Sequence, residues 1–467
     1  MSLKSLKASK TINHLKNKIK TMKEIPVESR RRTPWLWIPT LYFAEGIPYF
    51  VVNNISVLML AKMGVPNGQM ALFTSLLYLP WTIKPFWSPF VDIIRTKRWW
   101  TISMQIIMSI AFILLTLTMP HPDAATIASG QTPISLFWVT LILFVITAFA
   151  SATHDIAADG FYMLALRQNE QAAFVGIRST FYRLSSIFGQ GVLVALAGAI
   201  ELKNGNIPMS WTITMGAAAV LFSAITLYHT FAIPRVKSDA STLKDAKPTV
   251  GAIFSEFGRT FVTYFTKPYV WLAIVFMLLY RLPEAFLIKM CTPFLVASKD
   301  VGGLGLSTAE VGIVYGTIGV LALTIGGILG GLYAARVGLK KSLWWMAACM
   351  TLPCATFVYL AVGQPTNLVA ISTAIAIEQF GYGFGFTAYM LYMMYFSEGE
   401  FKTSHYAICT AFMALSMMIP GMFAGYIQEA IGYANFFWMV MICCVATLVV
   451  TYLVDKRIDP TYGKKTD

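Results

Sequence analysis

Residues 133–164 read PISLFWVTLILFVITAFASATHDIAADGFYML, an apolar run that carries His154, Asp155 and Asp159 in its second half. About 20 apolar residues span the bilayer hydrocarbon as a helix, so the length alone predicts a membrane crossing. A charge near the bilayer centre costs about 3 kcal/mol on insertion scales and survives where it meets a partner or a water-filled path. Similar apolar stretches recur along the chain, with Glu45, Lys84, Arg178, Arg183, Arg281, Glu284, Lys289 and Glu378 inside them. That pattern reads as a polytopic transporter.

Composition agrees. Of 467 residues, 57% are hydrophobic and 12% charged, against the roughly 25% charged residues of soluble domains. Backbone groups in lipid must be satisfied within the segment, and strand alternation is absent, so the spans are expected to be helical and a barrel is excluded. Hydropathy predicts helices at about 34–61, 68–92, 99–119, 133–164, 172–199, 209–233, 268–297, 307–335, 340–362, 366–396, 404–431 and 433–454. The expected fold is an all-α membrane protein of twelve transmembrane helices in two six-helix halves.

Charge gives the orientation. Of the 36 Lys and Arg, 28 fall in the tails and even-numbered connections, while the odd-numbered ones hold only Lys62, Lys203 and Lys299. The positive-inside rule then puts both termini in the cytoplasm. The net charge of +14 is read as topology and anionic-lipid contact, with no nucleic-acid partner, because no basic patch lies on a soluble domain. The predicted organisation is a basic tail (1–33), a first half (34–233), a linker (234–267), a second half (268–454) and a short tail (455–467). In the first tail, Ile12, Leu15, Ile19 and Met22 recur at helical spacing, as in a helix on the inner leaflet. A disordered tail, or a start at Met22, fits the same residues. No cleavable secretory signal is expected, since no small-residue cleavage site follows the first apolar span. The six cysteines lie in or beside spans without metal-type spacing and read as small packing residues. No cofactor and no metal is expected, because His154 with Asp155 and Asp159 lacks further ligands.

A faint internal repeat supports the division. Ser88-Pro-Phe-Val-Asp92-Ile-Ile-Arg95-Thr-Lys97-Arg98 follows the second helix, and Gly331-Leu-Tyr-Ala-Ala-Arg336-Val-Gly338-Leu-Lys340-Lys341 follows the eighth. Both loops resemble the Gly-x-x-x-Asp-Arg-x-Gly-Arg-Arg signature of the major facilitator superfamily, which links the two halves on the cytoplasmic side. The resemblance implies a gating role for Asp92, Arg95 and Arg336. Ser88 replaces the first Gly, and Ala335 stands where the second copy would carry Asp, so the interlock is expected to rest on Asp92.

A closer resemblance covers nearly the whole chain. Glu45-Gly46-Ile47-Pro48, Leu79-Pro80-Trp81-Thr82-Ile83-Lys84-Pro85-Phe86-Trp87-Ser88-Pro89-Phe90-Val91-Asp92 and Ala152-Thr153-His154-Asp155-Ile156-Ala157-Ala158-Asp159-Gly160 resemble stretches of the AmpG-type muropeptide permeases, relatives of the acetyl-CoA transporters. Leu279-Tyr280-Arg281-Leu282-Pro283-Glu284-Ala285-Phe286 and Ile377-Glu378-Gln379-Phe380-Gly381-Tyr382-Gly383 do so in the second half. His154 departs from the usual Gln, and Glu45 from a neutral residue. The resemblance implies a proton-coupled permease of the bacterial inner membrane that imports wall-derived muropeptides or amino sugars, and a monomer is expected. Free amino sugars, siderophores and acetyl-CoA-like compounds are the rival substrates. A multispan acyltransferase using His154 and Asp155 is disfavoured by the six-plus-six layout.

The residues suggest how such work would be divided. Asp155 and Asp159 share one helix face, and on an antiparallel neighbour Arg178 lies at the depth of Asp159 and Arg183 at that of Asp155. Two rungs are therefore expected, and since a buried carboxylate's proton affinity depends on whether its cation stays close, they are candidates for proton coupling, with Glu378 as the second choice. Substrate contacts are expected from Glu45, Tyr49, Asn53, Asn54, Lys84, Glu284, Lys289, Gln379 and above all Arg281, whose guanidinium can grip a carboxylate with two prongs. An internal Arg281–Glu284 pair is the alternative.

Overall fold

The computed structural model describes residues 33–93, 95–166, 168–236, 239, 250–399 and 402–462. The expectations for the first tail fall on residues outside this set. Among the described residues every regular element is helical. In chain order those of ten residues or more are α1 (Pro34–Lys62), α2 (Asn67–Leu76), α3 (Leu79–Ile93), α4 (Lys97–Leu117) and α5 (Ile134–Ala165). Next comes α6, made of Gln168–Ser186, Ile187–Leu193 and Val194–Asn204 in unbroken succession, then α7 (Ile207–Ala232) and α8 (Val250–Phe265). The rest are α9 (Val270–Val296), α10 (Thr308–Val337), α11 (Leu339–Gly363), α12 (Leu368–Ser397) and α13 (Lys402–Asp455).

Nine described stretches are long and apolar enough to cross a membrane: α1, α4, α5, Thr180–Asn204 of α6, α7, α9, α10, α11 and Ser404–Asp455 of α13. The last runs 52 residues, about twice what a bilayer needs. It breaks at Gly432, whose φ of 77° and ψ of 165° leave helical space, into arms 402–431 and 433–455. A residue without Cβ is suited to that position. The α2–α3 pair and α12 stand where hydropathy placed the second and tenth spans.

Local chemistry sets the ends. Thr96 accepts from the Trp99 amide at the start of α4, Asn206 from Met209 at the start of α7, and Ser307 with Glu310 forms a capping box on α10. Such caps satisfy amides that have no partner within the helix. The expected linker contains α8, which is tied down rather than loose. Its Tyr264 is fully buried and bonds Cys409 at 3.4 Å, and its Phe261 ring sits 5.7 Å from Phe86 of α3. Upstream, Asp239 accepts from the amides of Lys97 and Arg98, at 2.7 and 3.1 Å, and so caps α4.

Within the first half α1 packs on α5 and α6, and α4 on α5 and α7; within the second α12 packs on α10 and α11. The halves meet through α2 and α3 on α13, and through α6 on α10. These contacts need glycine. A Cβ on Gly316 would overlap the carbonyl of Gln190, and one on Gly425 the carbonyl of Asn67. Gly316→Val is therefore expected to destabilise this close packing of α6 on α10 by about 1–3 kcal/mol. Pulsed spin-label distances between Leu202 and Val301, both exposed, should lengthen.

Candidate functional site

Among the described residues three helices carry a π segment: Val51–Ile55 in α1, Ile187–Leu193 in α6 and Val314–Gly319 in α10. Single-turn π segments often mark functional positions, because the extra residue turns side chains that a regular helix would point elsewhere. Here the α6 segment packs against both others. The three border a small cavity between the halves of about 30 Å³, room for a water or two in this arrangement.

The cavity wall is mixed. Asn53, Asn54, Tyr78 and Gln190 come from the first half, and Lys289, Thr292 and Tyr315 from the second. Asn53 donates its Nδ2 to the Tyr49 carbonyl at 3.1 Å, and Gln190 donates to Ser186 at 2.8 Å. Lys289 is 5% exposed. Its Nζ donates to Thr74 Oγ1 at 3.0 Å and lies 5.8 Å from the Tyr78 ring. Among the described residues no carboxylate pairs with it.

Arg281 is placed differently from the expectation. Its Nε and one terminal nitrogen hold Glu284 at 2.9 and 2.7 Å, and the same terminal nitrogen donates to Tyr382 at 3.0 Å. Phe386 covers the guanidinium at 4.7 Å. The two-pronged grip thus closes on a carboxylate of the same helix, three residues on, and neither Arg281 nor Glu284 lines the cavity. Asn53, Asn54 and Lys289 do. Glu45, Tyr49, Lys84 and Gln379 are not in its wall, although Tyr49 stacks edge-on with Tyr78 at 6.5 Å. Sequence reasoning missed Gln190, Thr292, Tyr78 and Tyr315.

A second polar centre lies within the first half. Asp159 accepts from Arg178 at 2.7 Å and from Tyr42 at 3.1 Å, and Arg178 also lies over the Tyr42 ring at 4.5 Å. The rung between Asp159 and Arg178 is present. The one expected between Asp155 and Arg183 is not: Asp155 faces Lys84 at 3.6 Å and accepts from Trp81 Nε1 at 3.1 Å. Arg183 turns outward from this centre and donates to Thr324 of α10 at 3.3 Å. The depth arithmetic gave height but not helix rotation, and rotation sends Arg183 to the other half.

Glu45 and His154 complete the centre. Donor atoms of Glu45, His154 and Asp155 lie within 4.8 Å of one another. Lys84 beside Asp155 already supplies positive charge, so the trio is a poor seat for a metal ion. Gln105 donates to His154 Nε2 at 2.9 Å and its Oε1 faces His229 Nδ1 at 3.0 Å, while His229 Nε2 meets Thr40 at 2.9 Å. This buried chain joins α5, α4, α7 and α1 and fixes the His154 ring. Glu378 accepts from Gln379 Nε2 at 2.9 Å, inside the second half. Of the expected gating set, the Asp92 side chain lies outside the described residues; Arg95 stacks 5.9 Å from Trp99, and Arg336 is exposed.

On one face the halves are joined by polar bonds. Glu201 of α6 pairs with Lys62 at 2.8 Å and accepts from Thr308 of α10 at 2.6 Å. Asn67 of α2 donates to Gln428 and Tyr433 at 2.7 and 2.9 Å, and the Gly68 amide donates to Glu429 at 2.7 Å. Glu201→Gln is expected to weaken closure of this face by about 1 kcal/mol or more, since it removes a charged acceptor from two bonds. An impermeant maleimide applied from that face should label a cysteine placed at Asn54 several-fold faster.

The comparisons with known proteins follow the same lines. The chain is 25% identical over 428 residues to the anhydromuropeptide permease of Escherichia coli K12, covering 90% of this chain and 79% of that one. It is 23% identical over 429 residues to the putative transporter AmpG 4 of Rickettsia conorii, covering 90% and 96%. Solved structures with a similar fold include a bacterial homolog of the human lysosomal transporter Spinster (TM-score 0.64, 15% identity, 91% and 97% covered). A D-xylose-proton symporter also matches (TM-score 0.64, 12% identity, 92% and 99% covered). The Major Facilitator Superfamily model matches residues 40–404, and the chain therefore belongs to that superfamily, as a multi-pass transporter of the bacterial inner membrane and not an enzyme.

Proposed function

We propose that this protein is a proton-coupled permease that imports wall-derived muropeptides, through twelve spans with both termini cytoplasmic, by alternating access. One observation carries the reading: the cavity between the halves holds a buried Lys289 with no carboxylate partner among the described residues, flanked by Asn53, Asn54 and Gln190. A buried lone cation is costly unless a ligand anion meets it. A muropeptide supplies that anion as a lactyl or peptide carboxylate, and its sugar hydroxyls suit the amides. Free amino sugars lack the anion. An acetyl-CoA-like substrate would want several free cations, whereas Lys289 is the one cation in the described wall. The names of the permease relatives support the same substrate class.

In the proposed orientation the face joined through Glu201 and Asn67 is periplasmic, so the structure is closed to the periplasm. The test is uptake of a labelled anhydro-disaccharide peptide and of its free sugars into proteoliposomes, with and without an inward proton gradient. Accumulation of the disaccharide peptide, stimulated by the gradient, is expected. Accumulation of free sugar alone would overturn the substrate, and no effect of the gradient would overturn the coupling.

A further inference from the structure

The centre around Glu45 has an unequal charge count. Three carboxylates, Glu45, Asp155 and Asp159, converge from α1 and α5, and two cations meet them, Lys84 from α3 and Arg178 from α6. Tyr42, Tyr49, Tyr162 and Tyr182 are the phenols within electrostatic reach, uncharged at neutral pH, and His154 is the remaining titratable group. With every carboxylate ionised the centre carries one surplus negative charge. Asp159 is accounted for by Arg178 and Tyr42. Asp155 has Lys84 and Trp81.

Glu45 has neither. It is 8% exposed, and its Oε2 is buried without a hydrogen-bond partner, as is Nδ1 of the fully buried His154. The Gln105 amide donates to His154 Nε2, so the imidazole proton of the neutral ring sits on Nδ1. Two carboxylates and a ring nitrogen thus converge within 4.8 Å. Two carboxylates so near each other in a low-dielectric interior disfavour double ionisation, so one proton on the pair is stabilised.

We propose that Glu45 and Asp155 jointly hold one proton, and that this shared proton is the one the transport cycle carries. The proposal rests on the proton-coupled reading above and deepens it, moving the coupling site from the Asp159–Arg178 rung to a pair that bridges α1 and α5. Bound, the proton makes the centre neutral; released, it leaves the surplus charge, which separation of α1 from α5 would relieve. His154 is a positioning residue that can donate to whichever carboxylate is ionised.

Infrared difference titration of the protein in proteoliposomes, without substrate, reads the proton directly. A protonated-carboxyl band near neutral pH is expected in the unaltered protein that is lost in Glu45→Gln and equally in Asp155→Asn, and kept in Glu378→Gln, the background that removes any band of Glu378 itself. A band of full amplitude in both Glu45→Gln and Asp155→Asn would overturn the shared site. With the band assigned, Glu45→Gln should lose gradient-driven accumulation while retaining substrate exchange. Unimpaired accumulation in that variant, or accumulation driven by a sodium gradient instead, would overturn the role in the cycle. A band that behaves as expected in a protein that moves no muropeptide would leave the proton site standing and remove the substrate reading alone.

Discussion

Lys289→Met is expected to weaken muropeptide binding by about thirtyfold or more while leaving the folded protein as stable as before or more so. Removing one partner of a buried charge pair costs about 2–5 kcal/mol of affinity, and each 1.4 kcal/mol is a factor of ten. Without ligand, however, the described structure gives Lys289 only a hydroxyl and a ring face, so its buried charge is a burden in the free protein. Methionine keeps the apolar stem and removes that burden. Equilibrium binding of a labelled disaccharide peptide and thermal unfolding in detergent should therefore move in opposite directions. A parallel fall in both would show Lys289 to be structural.

Arg281→Ala should do the reverse, lowering stability by about 3–5 kcal/mol, because it strands Glu284, 2% exposed, as an uncompensated buried charge. Arg281→Lys should recover little, since an ammonium cannot reproduce the two parallel bonds of 2.9 and 2.7 Å. Replacing both partners by Met and Leu should restore most of the stability. The check is thermal unfolding of the three variants in the same detergent. If Arg281→Ala left unfolding unchanged but removed binding, the guanidinium would be a substrate group after all.

The sequence made some of this architecture readable and concealed the rest for identifiable reasons. Apolar runs reveal where helices lie because lipid imposes length and backbone satisfaction on each one. The break at Gly432 was readable as a glycine between two long runs. The Arg281–Glu284 pair was open from its spacing of three residues, and the Asp159–Arg178 rung from equal depth. Lys84 as the partner of Asp155 was not, because contact between α3 and α5 is a matter of helix rotation, which charge positions do not encode. The π segments leave no compositional mark, and with them Gln190 and Tyr315 stayed hidden as single polar residues in apolar helices. As a carboxylate within an apolar run Glu45 reads as a substrate group; only the convergence of α1 with α5 sets it against Asp155.

The glycine contacts of α6 on α10 leave a division of labour along single helices. Closure rests on positions where nothing larger than hydrogen fits, such as Gly316, whereas the neighbouring Gln190 and Tyr315 face the cavity. On the proposed reading, selectivity and gating are thus written on alternate residues of the same backbone. Cargo preference can be redesigned at 53, 54, 190 and 292 without touching the seal, so a library confined to those four positions should yield mostly intact carriers with altered diets.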